Sequence, residues 1–146
     1  MTETTKKTPW HIWVVGIVTL LWNAIGAMDY VMTQLRVESY MSQFTEEQLA
    51  FFYGFPGWVN ASWAIAVWGA ILGSILILLR SKLAVPVFWI GLVAMVATAI
   101  HNFVLSEVSM TEIAGTGAMW FSVVIFVVAV LLVIYANVQK RNGNLR

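Results

Sequence analysis

The sequence predicts an all-α membrane protein, a four-helix transmembrane bundle in a single domain (1–146), and three observations carry that reading. Hydrophobic residues make up 60% of the 146 positions and charged residues only 10%, with a mean hydropathy of +0.82. A water-soluble domain of this size carries far more charge. Four runs without Lys or Arg, at 12–32, 58–79, 85–106 and 116–137, recur along the chain. At 1.5 Å per residue each reaches roughly 32 Å, enough to cross a hydrocarbon core of about 30 Å. Third, the basic residues collect on one side of these runs.

The first span opens just after Pro9. It is too long for a signal peptide, and no small-residue cleavage site precedes the glutamates that follow, so it is expected to be retained. The stretch 33–41 lacks Gly and Pro and is expected to prolong this helix. Next, Thr45-Glu46-Glu47-Gln48 reads as a capping box with Thr45 as N-cap and Phe44 and Leu49 as the hydrophobic staple. Gly54 and Phe55-Pro56-Gly57 end the segment, which predicts a short helix over 46–53. Its Leu49, Phe51, Phe52 and Tyr53 suit a position along the membrane surface or over the bundle. Pro56 and Pro86 sit before or within the first turn of the second and third spans, where a missing N–H costs least. The fourth span follows Thr116.

Lys6, Lys7, Arg80, Lys82, Lys140, Arg141 and Arg146 flank the spans on one side, against Arg36 alone on the other. The positive-inside rule therefore puts both termini in the cytoplasm and the 46–53 helix outside. Trp10, Trp13, Trp58 and Trp120 fall at span ends, as in aromatic belts. A net charge of +1 gives no basic face for nucleic acid. The absence of Cys removes disulfides, iron–sulfur clusters and thiol catalysis, and no metal is expected. His11 and His101 lie at opposite depths, so one chain cannot build a bis-histidine haem site. Neither a phosphate loop nor a Ser-His-Asp spacing occurs, so no cofactor and no enzyme activity are expected.

An ionisable residue within a span is a functional candidate by default. The two here are Asp29 and His101. With Asn60 and Asn102 they fall in the outer leaflet, while Asn23 lies near mid-membrane. On the first helix Thr19, Asn23, Gly26 and Tyr30 share a face, with Trp22 and Asp29 on the neighbouring one. These residues suggest an outward-facing polar pocket of Asp29, Asn23, Asn60, His101 and Asn102, walled by Trp22, Trp58 and Trp63. Carboxylates and amides would pair with hydroxyl groups while indole faces cover an apolar surface. The plainer alternative is that the same polar groups are hydrated near the interface or join helices by hydrogen bonds. Gly69 and Gly73 lie on a small-residue face of the second span, and with Gly26 and Gly91 they are candidates for close helix packing.

The stretches Leu21-Trp22-Asn23-Ala24-Ile25-Gly26-Ala27-Met28-Asp29-Tyr30, Tyr53-Gly54-Phe55-Pro56-Gly57 within 44–58, Leu83-Ala84-Val85-Pro86 and His101-Asn102-Phe103 together resemble a family of small four-span bacterial inner-membrane proteins. Its members are uncharacterised, or loosely labelled sugar transporter. The resemblance covers most of the chain, from about residue 10 to residue 138. It implies the four-span fold and a bacterial inner membrane, with no catalytic residues to carry over.

The functional expectation is an integral membrane protein that binds or transports a small polar solute such as a sugar. The alternative is an accessory or assembly subunit of a larger membrane complex. Its partners are then the lipid bilayer, a small polar solute, and a homo-oligomer or larger complex.

Overall fold

A computed structural model describes residues 7–146; Lys6, counted above among the basic residues, lies outside them. The chain forms α1 (Trp10–Gln34), α2 (Glu38–Met41), α3 (Glu46–Tyr53), α4 (Gly57–Leu78), α5 (Ala84–Ile100) and α6 (Met110–Arg141). A π-helical turn, His101–Leu105, continues α5. The described residues contain no strand. Four helices are long and apolar enough to cross a membrane: α1, α4, α5 with its π turn, and α6. The fold is the all-α, four-span bundle that the sequence predicts.

Local chemistry sets the boundaries. Pro9 and Pro56 are the N-caps of α1 and α4, and Pro86 lies in the first turn of α5. The capping box of α3 is present, with Gln48 N–H donating to Thr45 Oγ1 and Thr45 N–H to Gln48 Oε1. The first helix does not run on to residue 41. It stops at Gln34 because Arg36 takes a left-handed conformation (φ 51°), with Arg36 N–H donating to Thr33 O and Val37 N–H to Met32 O. This is a Schellman closure. The same pair of bonds ends α4 at Arg80 (φ 56°) and α6 at Gly143 (φ 76°).

The last helix begins earlier than the apolar run at 116–137 suggests. Ser109 and Glu112 form a second capping box. A break at Gly115 (φ 82°, ψ 175°) then separates this first turn from the apolar body. That backbone region is open essentially to glycine alone. Gly115→Ala is expected to cost about 1–3 kcal/mol, read as a lowered midpoint of thermal unfolding in detergent.

Four helices pack in chain order, α1 on α4, α4 on α5 and α5 on α6, while the backbones of α1 and α6 stay apart. Small residues set the closest of these approaches. A Cβ on Gly69 would stand 3.5 Å from Gly91 Cα, and one on Gly73 would strike the Phe88 ring. Gly69, Gly73 and Gly91 thus bring α4 against α5 within one chain. Gly26, expected to pack in the same way, has no neighbour within 4 Å of a Cβ among the described residues. Because α6 stands away from α1, nothing closes on that face, and Gly26 borders a cavity instead.

The bundle is solid at the end that carries Arg80, Lys82 and Arg146. Ile12, Ile77, Ala84, Val85, Phe88, Leu132, Val133, Ala136 and Leu145 form its core. His11 Nδ1 and the Tyr135 hydroxyl, 2.7 Å apart, close the α1–α6 seam there. The polar tail folds back into the same end. Arg146 N–H donates to Arg80 O (2.7 Å), Lys82 N–H to Arg146 O (3.0 Å), and Arg80 Nε to Asn144 O (3.0 Å). Elsewhere large apolar side chains such as Ile17, Val93, Phe121 and Leu131 stand exposed along the spans. That surface is the one a multi-pass membrane protein presents to lipid.

Candidate functional site

In the other half of the bundle α1, α4, α5 and α6 enclose a cavity of about 490 Å³. Its existence follows from the packing just described. The three consecutive helix pairs curve round, α1 and α6 meet through side chains rather than by close backbone packing, and the small residues Gly26, Ala66, Ala70, Gly91 and Ala99 leave the interior unfilled.

Asp29 and Tyr40 border the mouth, the end away from the core, and the other polar groups are spread over α1, α5 with its π turn, and α6. Asp29, in the last third of α1, accepts a 2.5 Å hydrogen bond from the Tyr40 hydroxyl through Oδ1. Tyr40 stands on α2, which the left-handed turn at Arg36 folds back over the cavity. One turn or more deeper, Asn23 Nδ2 donates to Ala70 O (3.2 Å) and Ser74 Oγ (3.0 Å), and Ser74 also meets Thr19 Oγ1 at 3.1 Å. This network ties α1 to α4, and it leaves Asn23 Oδ1 without a bond from the protein among the described residues. Asn102 and Thr98 contribute from α5 and its π turn, and Ser122 from α6.

Aromatic side chains wall the space. Trp22 and Phe121 approach with ring centroids 6.3 Å apart and bridge the α1–α6 seam. Trp63 lies edge-on to Tyr30 at 4.9 Å. Phe103 and Phe126 also line the cavity, and Phe88 and Leu132 form its floor above the core.

Of the residues expected to form the pocket, Asp29, Asn23, Asn102, Trp22 and Trp63 meet at this cavity. Asn60, His101 and Trp58 do not line it. His101 lies edge-on to Phe55 (5.5 Å) and Trp58 (5.7 Å), and reaches the cavity only through its 3.2 Å contact with Asn102 Oδ1. Asn60 accepts from Gln34 Nε2 (3.1 Å) and donates to Phe55 O (3.4 Å), tying α1 to the start of α4. Trp58 stands five residues before Trp63, turned from it by about 140° round the helix, and meets His101 instead.

Tyr40 and the α6 wall escape the sequence reading. A signal for the wall exists, since Ser122, Ile125, Ala129, Leu132 and Ala136 recur at spacings of three and four. Nothing in the loop sequence marks Tyr40.

The site changes the chemistry of Tyr40. Burial, and after it the neighbouring Asp29 carboxylate, pushes the phenol from its ordinary 10.0 up to about 12. The folded state therefore holds this proton more tightly than the unfolded chain does. The resulting stabilisation is complete below pH 10 and is lost as the pH climbs toward 12. A tyrosinate absorbance titration should show Tyr40 ionising late, and Asp29→Asn should bring it part of the way back, because burial remains.

Compared with known proteins, the chain matches no family model, no characterised protein and no solved structure.

Proposed function

We propose that this integral membrane protein binds a small solute in the cavity between its four spans. The observation that carries the reading is the convergence of Asp29, Tyr40, Asn23 and Asn102 with the indoles of Trp22 and Trp63 around one space of about 490 Å³. Ligand sites are cavities of this size with mostly apolar walls and a few fixed polar groups. The positive-inside argument turns the mouth outward, and the family resemblance favours a bacterial inner membrane and a sugar as the first solute to try. Four helices are few for a complete translocation path, so transport would require a homo-oligomer.

Tryptophan fluorescence of the purified protein in detergent tests this directly. The titrants are sugars, amino acids, quinones and lipids, with Gly26→Phe beside the parent protein. Gly26 has open space where a side chain would start, so the ring fills the cavity without disturbing a helix contact. A saturable change that disappears in Gly26→Phe is the expected result. Silence toward every solute class would overturn the reading.

A second reading, an accessory subunit of a larger membrane complex, is favoured by α6. Its close partner is α5, and Val123, Val127, Leu131 and Ile134 leave one face exposed for lipid or another helix. Recovery of the same larger complex after gentle solubilisation would support it.

A further inference from the structure

We infer that the cavity selects an amphipathic monocation, a compact cationic centre on an apolar body. The inference rests on the proposed reading of the cavity as the binding site and deepens it by naming the ligand's chemistry.

Charge comes first. Among the described residues, Asp29 is the one acidic residue bordering the cavity, and no Lys or Arg borders it. Its only hydrogen bond among the described residues comes from Tyr40. Arg36, the basic residue at this end of the bundle, has its guanidinium over the Tyr53 ring at 4.1 Å. His101 turns to Phe55 and Trp58. A carboxylate held in a low-dielectric space without a protein counter-charge repels anions and attracts cations.

The walls make the same choice. Trp22, Trp63, Tyr40 and Phe121 contribute aromatic rings to the same cavity, and Tyr40 touches the carboxylate itself. Ring faces stabilise organic cations, and indole does so best. Below them the space is bounded by groups such as Phe88, Leu92, Met95, Ile125 and Leu132. A sugar lowered into that half would lose hydrogen bonds to water and recover few. An alkyl or aryl body loses none.

Access completes the case. The backbones of α1 and α6 do not pack together, and the seam between them in this half is bridged by the Trp22 and Phe121 side chains, with Phe121 57% exposed. An amphiphile dissolved in the leaflet can enter by that seam with its charged end toward the mouth.

The test uses two ions of the same shape and opposite charge, tetraphenylphosphonium and tetraphenylborate, titrated into the full chain in detergent with tryptophan fluorescence as readout. The phosphonium should bind saturably and the borate far more weakly. Asp29→Asn, which keeps an acceptor for Tyr40, should weaken phosphonium binding by about tenfold or more. Gly26→Phe should abolish it. Equal affinity for both ions, lost in Gly26→Phe but unchanged in Asp29→Asn, would overturn the charge selection and leave the cavity as a binding site. Saturable binding of a sugar with no binding of the phosphonium would do the same. If neither ion nor any solute class responds to Gly26→Phe, the inference and the cavity reading both fall.

Discussion

Gly73→Leu is expected to disrupt the α4–α5 contact and to lower stability by about 3 kcal/mol or more, at the upper end of overpacking effects. Even a Cβ at this position collides with Phe88, which is itself 5% exposed and part of the core. In a bilayer, burial from water does not drive helices together, so close packing carries much of the association. Separating α4 from α5 there removes that attraction along neighbouring turns. Gly69→Ala provides the contrast. Its new methyl would stand at an ordinary van der Waals distance from Gly91, and little change is expected. Denaturant titration of helicity in mixed micelles would rank the two variants, and equal tolerance of both would refute the packing account.

The second large effect is expected at the tail. Leu145 is 4% exposed and belongs to the core, although it lies four residues beyond the last helix. The left-handed Gly143 reverses the chain, and the main-chain bonds of Arg146 with Arg80 and Lys82 hold it there. Leu145→Ala removes a buried side chain from a site the backbone cannot refill. A loss of about 3 kcal/mol is expected, as for other buried leucines. Arg80 Nη2 and Asn144 Oδ1 are buried beside it without hydrogen-bond partners among the described residues. The leucine adds its burial to the hydrogen bonds that hold this segment down. An unchanged midpoint in Leu145→Ala would show that the tail rests on the bundle without supporting it.

These two sites also divide what could be read in the sequence from what could not. Gly69 and Gly73 announce a packing face because helical spacing is a local property. Span number, the α3 capping box and the membrane class are legible for the same reason. Leu145 is not, since Gly143-Asn144-Leu145-Arg146 has the composition of a solvated end and its burial depends on the distant Arg80 turn. The cavity divides similarly. Asp29, Asn23 and Asn102 stand out as polar residues in apolar runs. Tyr40 enters only because Arg36 adopts a left-handed conformation that its residue type does not advertise. The Ser109–Glu112 capping box was open to sequence reading, but the apolar run beginning at Thr116 hides it.

The unequal closure of the α1–α6 seam has a mechanical consequence. One end is clamped by His11 with Tyr135 and by the solid core, whereas the other is spanned by two aromatic rings over a void. Lateral pressure from the surrounding lipids meets a wedge that is stiff at the packed end and yielding at the hollow one, because a close-packed interior is nearly incompressible and a void is not. The two ends of the bundle are therefore expected to deform unequally under the same load.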